Sequence, residues 1–258
     1  MKTFRSIAIL LGAFALASCD TEGGGIQDIT GALPGARVKF FNFGVNAPSV
    51  NFYANTAKVT ATTSATGVEA LTGVSYGSVG SGGFYSALTP GQYSFIGKIA
   101  ATVDKDLTVA TVPGTLADGK AYSVYVSGFY DATAKTVEGF VVEDPFDAAI
   151  DYTVAYVRFV NAISNSQPMT MYAKNTTTLT EVAVGAAVAY KAAGAFTSVP
   201  NGVYDLSTRT AGSTTNAIAR TAVSLSAGKV YTISARGDIT VTSTTATNRP
   251  FLDNTANR

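Results

Sequence analysis

The sequence predicts an all-β protein: two tandem immunoglobulin-like antiparallel β-sandwich domains after a signal peptide and a flexible tether. Three observations predict it. Strand-favouring Val, Thr, Tyr, Phe and Ile are abundant, only 14% of residues are charged, and Gly and Asn interrupt the chain often. No long stretch after residue 19 carries the 3.6-residue apolar period of a helix. Three sequence blocks recur in the same order, which marks a tandem duplication.

The first element is the N-terminus. Lys2 and Arg5 precede an apolar run, Ile7 to Ala17, of 11 residues. That falls well short of the ~20 residues a membrane-spanning helix needs and matches the apolar region of an export signal. Leu16-Ala17-Ser18-Cys19 resembles the bacterial lipobox. The resemblance implies a diacylglycerol thioether on Cys19, cleavage before it and acylation of the new amino group. One acyl chain binds a membrane only marginally, whereas two or more anchor stably. Residues 1–18 are therefore assigned as signal peptide, and 19–33 as the lipidated cysteine and a glycine-rich tether. Such a tether behaves as a flexible coil. The acids just after Cys19 resemble the surface-export signals of one group of bacterial lipoproteins, whereas in other bacteria an Asp directly after the cysteine implies retention at the inner membrane, so both leaflets stay open.

Cleavage would leave 16 basic and 17 acidic residues, so no basic face points to a nucleic-acid partner. Cys19 is the chain's one cysteine, and no disulfide can form. Stability must come from hydrophobic cores.

The duplicated part comes next. Ala36-Arg37-Val38-Lys39-Phe40-Phe41-Asn42 matches Ala155-Tyr156-Val157-Arg158-Phe159-Val160-Asn161 at an offset of 119 residues. At the same offset Asn46 meets Asn165, and Tyr53-Ala54 meets Tyr172-Ala173. Pro90-Gly91-Gln92-Tyr93 parallels Asn201-Gly202-Val203-Tyr204 at an offset of 111 residues, and Leu116 to Tyr122 parallels Leu225 to Tyr231 at 109. Alternation places Val38 and Phe40 on an inner face, with Arg37 and Lys39 facing out; Val157 and Phe159 point inward, with Arg158 out. The glycines of Pro90-Gly91, Asn201-Gly202, Leu116–Gly119 and Leu225–Gly228 supply turns. Val182 to Ala195 reads as strand, with a short helix as the alternative. Seven to nine strands per unit, with turns at intervals of roughly ten residues, indicate a sandwich. The domains are set at 34–146 and 147–258, and acid-rich Glu143 to Asp151 reads as the linker.

Arg37-Val38-Lys39-Phe40-Phe41-Asn42, then Asn46-Ala47-Pro48 and Val50-Asn51-Phe52-Tyr53, is similar to the opening of the family called domain of unknown function 4397. The second copy's Asn165-Ser166-Gln167-Pro168 is a looser match. The likeness covers about residues 35 to 240 in two copies. It implies secreted proteins or lipoproteins and no catalytic residues.

Chemistry has little to work with. The chain has no histidine, which removes the commonest general base and zinc ligand. Carboxylate pairs remain for a glycoside hydrolase, drawn from Glu69, Asp104, Asp106, Glu138, Glu143, Asp144, Asp147, Asp151, Glu181, Asp205 and Asp238. None occupies matching positions in the two copies. Asp104-Lys105-Asp106 and Glu143-Asp144 with Asp147 lack EF-hand spacing and read as solvated loop acids; a linker calcium ion is the alternative. Aromatic residues Phe41, Tyr125 and Tyr156, placed outward by alternation, suit either interdomain packing or a sugar- or protein-binding platform.

The expectation is a non-enzymatic cell-envelope lipoprotein, lipid-anchored at Cys19 and favouring the outer membrane. Its modules would be binding or structural, with no cofactor, no metal and no nucleic acid. Envelope proteins or an extracellular glycan are the partners it suits. A carbohydrate-binding or adhesive surface lipoprotein is the alternative, and a carboxylate-based hydrolase is a remoter one.

Overall fold

The computed structural model describes residues 35–146 and 149–258. Residues 1–34 lie outside the described residues, and with them the expected signal peptide, the expected lipidation site Cys19 and the expected tether; so do 147 and 148. The first half contains β1 (Ala36–Asn42), β2 (Val50–Ala54), β3 (Ala57–Lys58), β4 (Ser78–Val79), β5 (Ser86–Leu88), β6 (Gly91–Ile99), β7 (Thr108–Leu116), β8 (Ala121–Asp131) and β9 (Thr136–Glu143). The second contains β10 (Val154–Asn161), β11 (Met169–Asn175), β12 (Glu181–Val188), β13 (Ala192–Ala193), β14 (Thr197–Pro200), β15 (Gly202–Thr210), β16 (Ile218–Leu225), β17 (Val230–Arg236) and β18 (Phe251–Ala256). There is no α-helix among the described residues. The Ala-rich stretch 182–195 is β12 and β13.

Each half is a two-sheet sandwich, and the two halves repeat one topology. In the first, β4-β1-β8-β9 forms one sheet, with β5 also on β1, and β3-β2-β6-β7 forms the other. In the second, β13-β10-β17-β18 with β14 on β10 faces β12-β11-β15-β16. Both halves carry one parallel ladder in otherwise antiparallel sheets: β1 beside β8, and β10 beside β17. Lys39 lies opposite Ser123 in the first, and Arg158 opposite Thr232 in the second. The offsets read from sequence are thus reproduced strand by strand.

The recurring Asn and Tyr residues explain themselves as pins. Asn42, fully buried at the end of β1, donates from Nδ2 to Pro48 O and Val74 O at 3.0 and 2.9 Å. Asn161 does the same at the end of β10, donating to Ser166 Oγ and Val188 O at 3.0 and 3.2 Å. Asn42 satisfies two backbone carbonyls and Asn161 one carbonyl and one hydroxyl, each where the chain crosses from one sheet to the other. Tyr93 and Tyr204 donate from Oη to the carbonyls of Thr89 and Pro200, four residues upstream, at 2.8 and 2.7 Å. Tyr122 and Tyr231 accept from the backbone N–H of Ala117 and Ser226 at 3.0 and 3.2 Å. Gly119 and Gly228, at φ +69° and +71°, occupy the left-handed turn before β8 and β17.

Three hydrophobic clusters hold the molecule together. Val38, Phe40, Phe52, Phe95, Val112 and Val124 belong to the core of the first half. Val157, Phe159, Met171, Leu206, Val223 and Ile233 belong to that of the second. The third joins Phe41, Phe43, Tyr125 and Phe140 of the first half to Val160 and Ala162 of the second. Phe41, Tyr125 and Phe140 stack there, with ring centroids 4.5 and 4.9 Å apart on either side of Tyr125. Of the aromatic residues expected to face outward, Phe41 and Tyr125 are therefore interdomain packing and offer no platform.

This junction also corrects the reading of the basic residues and of the linker. Lys39 and Arg158 do lie on the face opposite their own cores, but that face is covered by the other half, leaving them 1% and 0% exposed. Glu143 is the last residue of β9 and Asp144 is buried behind it, so the segment read as solvated linker begins inside the junction. The halves form one compact unit.

Because each half has a core of its own and one apolar face that only the other half covers, 34–146 and 147–258 made separately are expected to recombine. Size-exclusion chromatography with light scattering should show a one-to-one complex on mixing. Two species that ignore each other would contradict the junction described.

Candidate functional site

The buried polar groups at the junction come first, because they account for the most unusual residues. Arg158 donates from Nη1 to Glu143 O at 2.7 Å, from Nε to Thr232 Oγ1 at 3.0 Å and from Nη2 to Asp144 Oδ1. Asp144 also accepts from Ser123 Oγ at 2.8 Å and Tyr85 Oη at 2.7 Å. On the other side of the junction Lys39 Nζ donates to Ala256 O and to Asn257 Oδ1. Asn257 Nδ2 in turn donates to Thr232 Oγ1 at 2.7 Å. Each half's first strand thus sends one cation to the end of the other half's last strand. Each cation also sits over a ring of its own half: Lys39 is 4.3 Å from the centroid of Tyr85, and Arg158 is 4.9 Å from that of Phe196. Tyr125 Oη and Ser234 Oγ share a hydrogen bond of 3.0 Å between the two groups.

Removal from water dominates the electrostatics here. Burial pulls the Lys39 ammonium down to about 8, opposed by Asp144 and assisted by Arg158. Burial drives the Tyr85 and Tyr125 phenols well above their ordinary range, with Asp144 pushing both the same way.

Most of the acids considered as catalytic or calcium-binding are dispersed by the fold, while Glu69 and Asp106 share the lining of one open cavity. Asp144 spends its oxygens on Arg158, Ser123 and Tyr85, so it is a buried ion-pair partner and not a solvated loop acid. Glu69 pairs with Lys58, Asp104 with Lys135, Glu138 with Lys191, Glu143 with Lys120 and Glu181 with Arg209. Asp151 and Asp238 accept from the N–H of Thr153 and Thr240 two residues on, and Asp205 accepts from Ala222 N. Asp147 lies outside the described residues. No group of three or more His, Cys, Asp or Glu side chains is placed to hold a metal among the described residues.

Sequence reasoning missed an open polar cavity of about 390 Å³ on the outer sheet of the first half. Its lining includes Asn51 and Tyr53 of β2, Lys58 of β3, Glu69, Lys98 of β6, and Lys105 with Asp106. Asn51 and Tyr53 alternate with core residues Val50 and Phe52, and so point away from the core. Lys98 pairs with Asn51 across the ladder, and its ammonium lies 4.7 Å from the Tyr53 ring centroid. Glu69 is brought over the sheet by a small hairpin in which Thr63 bridges Glu69. There it accepts from Lys58 Nζ at 2.7 Å and Asn51 Nδ2 at 3.1 Å. Loop 100–107 closes the other side, folded back by Asp106 N donating to Ile99 O at 2.9 Å. The shrinking repeat offset was the available signal: the first half carries eight more residues than the second between Tyr53-Ala54 and Pro90-Gly91 (119 against 111), the stretch that holds Glu69.

With this geometry in hand, comparison with known proteins adds one match. Residues 155–257 match the sequence profile of the family described as Domain of unknown function (DUF4397). No curated protein matches the chain. Among the described residues, no helix is long and apolar enough to cross a membrane.

Two outcomes test the junction. Asp144→Asn should cost about 3 to 5 kcal/mol by urea unfolding, because it strands a buried guanidinium, whereas Arg158→Met with Asp144→Leu together should recover most of that loss. The pH profile carries a second signature. Lys39 is charged in both states below about pH 8. Above that the unfolded chain, with an ordinary pKa of ~10.4, binds the extra proton, and stability rises with pH. Above ~10 the unfolded tyrosines ionise while Tyr85 and Tyr125 stay protonated in the fold, and stability falls. Unfolding free energy is expected to climb from about pH 8 and fall beyond ~10; Lys39→Met should flatten the climb and leave the fall.

Proposed function

We propose that this chain is a lipid-anchored, non-catalytic binding module of the bacterial cell envelope, built from two copies of one domain. The observation that carries the anchor is Leu16-Ala17-Ser18-Cys19 directly after an apolar run of 11 residues, in a chain with no other cysteine. Support for the second copy comes from residues 35–146, which follow the strand order of the part that matches the family, down to the Lys39/Ser123 and Arg158/Thr232 register. A binding role is favoured over catalysis because most of the described carboxylates are engaged in ion pairs or turns, and three lysines line the open cavity. The outer membrane is the favoured location, with the two outer sheets presented to envelope proteins or glycan.

The N-terminus decides the anchor. Mass spectrometry of the membrane-extracted protein should give an N-terminal peptide beginning at Cys19 and carrying a diacylglyceryl thioether. Cys19→Ala should move the protein out of the membrane fraction. A peptide with a free thiol, or one starting elsewhere, rejects the anchor.

A further inference from the structure

We infer that the cavity on the outer sheet of the first half is a binding site for a carboxylated sugar unit of an acidic saccharide. The inference deepens the binding role proposed above and rests on it. The site is defined by Tyr53, Asn51, Lys58, Lys98, Lys105 and Glu69.

The argument begins with a difference between the halves. Tyr172 and Arg209 hold in the second half the ladder positions that Tyr53 and Lys98 hold in the first: Lys98 pairs with Asn51 and Arg209 with Thr170. In both halves the cation lies over the tyrosine ring, at 4.7 Å for Lys98 and 4.3 Å for Arg209. The second half then closes the arrangement upon itself. Arg209 makes a bidentate pair with Glu181, at 2.8 Å on both arms, and its Nε donates to Asn216 at 2.8 Å. Glu181 is delivered by β12, which runs for eight residues beside β11. In the first half the corresponding strand β3 has only two residues, and the chain leaves the sheet edge to form the loop 59–77. Lys98 consequently has no ion-pair partner among the described residues, and neither has Lys105.

The cavity's polar inventory then selects the ligand. Lys98 and Lys105, the two ammonium groups outside the Lys58–Glu69 pair, call for an anion. Lys105 also contributes to holding the Glu69 carboxyl below its ordinary value, after Lys58, so both lysines act on the same spot. Two carboxylates, Glu69 and Asp106, share the lining. They would repel a bare phosphate but accept hydrogen bonds from hydroxyls. Asn51, 7% exposed, spends its Nδ2 on Glu69 while its Oδ1 has no donor; such unsatisfied buried groups are rare in finished protein interiors. A ligand carrying one carboxylate and several hydroxyls fits this mixture, and the volume of about 390 Å³ suits one or two sugar rings.

The test is isothermal titration of the detergent-solubilised full chain with trigalacturonate, a neutral galactose trisaccharide and inorganic phosphate. Trigalacturonate should bind at one site per chain, more weakly as salt is raised, while the other two produce no saturable heat. Lys98→Met should weaken binding at least about tenfold, or about 1.4 kcal/mol. Lys98→Arg should retain most of it, and Arg209→Met should change nothing. Absence of saturable binding by trigalacturonate overturns the inference, as does wild-type affinity in Lys98→Met. Equal binding of phosphate overturns the sugar assignment, and equal binding of the neutral trisaccharide overturns the carboxylate assignment. A lipidated Cys19 in protein that binds no saccharide removes this site and leaves the anchor standing.

Discussion

The guanidinium of Arg158 lies fully buried against the Asp144 carboxylate between two sheets, and the rest of the architecture is arranged around that requirement. Taking both charges out of water costs several kcal/mol each, which their attraction offsets only in good geometry with the remaining donors and acceptors filled. Here they are filled, by Glu143 O and Thr232 Oγ1 on one side and by Ser123 and Tyr85 on the other. Sliding one sheet over the other by a residue would leave a desolvated guanidinium facing apolar side chains. Apolar packing among Phe41, Phe43, Tyr125 and Val160 tolerates such sliding far better, being non-directional. The clusters therefore supply the adhesion, and the ion pair supplies the register.

The junction has the form of a two-fold contact made within one chain. Lys39 reaches the end of β18 as Arg158 reaches the end of β9, and Tyr85 and Phe196 lie under the respective cations. A symmetric dimer would need identical residues at both places, since its interface is self-complementary. Covalent linkage lifts that demand. One side holds a full ion pair, Arg158 with Asp144, while the other holds a lysine with a neutral amide, Asn257. Four ionised groups crowded together would carry a larger desolvation cost. The asymmetric solution keeps one pair fully compensated and leaves the Lys39 ammonium as the group that gives up its proton more readily, pulled down to about 8 by burial.

Much of this was readable in the sequence. Alternation in Arg37-Val38-Lys39-Phe40 identified the residues of β1 that enter the core, and the repeated blocks indicated that both halves share one plan, though not its strand order or its parallel ladders. The recurring tyrosines and glycines fell at turns because their chemistry is local: a phenol reaching back four residues, or a backbone needing positive φ. What covers the second face of β1 was not readable. Period-two patterning says only that Lys39 and Phe41 share a face, and a lysine on that face argues for water. Burial of that face depends on contacts between residues more than a hundred positions apart, such as Lys39 with Ala256. The outer-sheet cavity was hidden for a different reason: the repeat offset shows extra chain, but not that the loops 59–77 and 100–107 fold back to bring Glu69 and Lys105 beside Lys98.

The shared topology of the two halves also explains where new chemistry can accumulate. The inner sheets are committed on both faces, to their own cores and to each other, so a change there disturbs packing or strands a charge. The outer sheets are committed on one face only. In the second half that free face is closed by the Arg209–Glu181 fork over Tyr172, a bidentate geometry that satisfies both partners and leaves little to offer a ligand. In the first half a lysine stands in place of the arginine and a loop in place of the long edge strand. A lysine is a point charge on a flexible stem, without the planar fork that locks an arginine to one carboxylate. Its donors remain available above the Tyr53 ring. The shared scaffold thus lets one copy keep a stabilising surface contact while the same position in the other becomes receptive to a charged ligand.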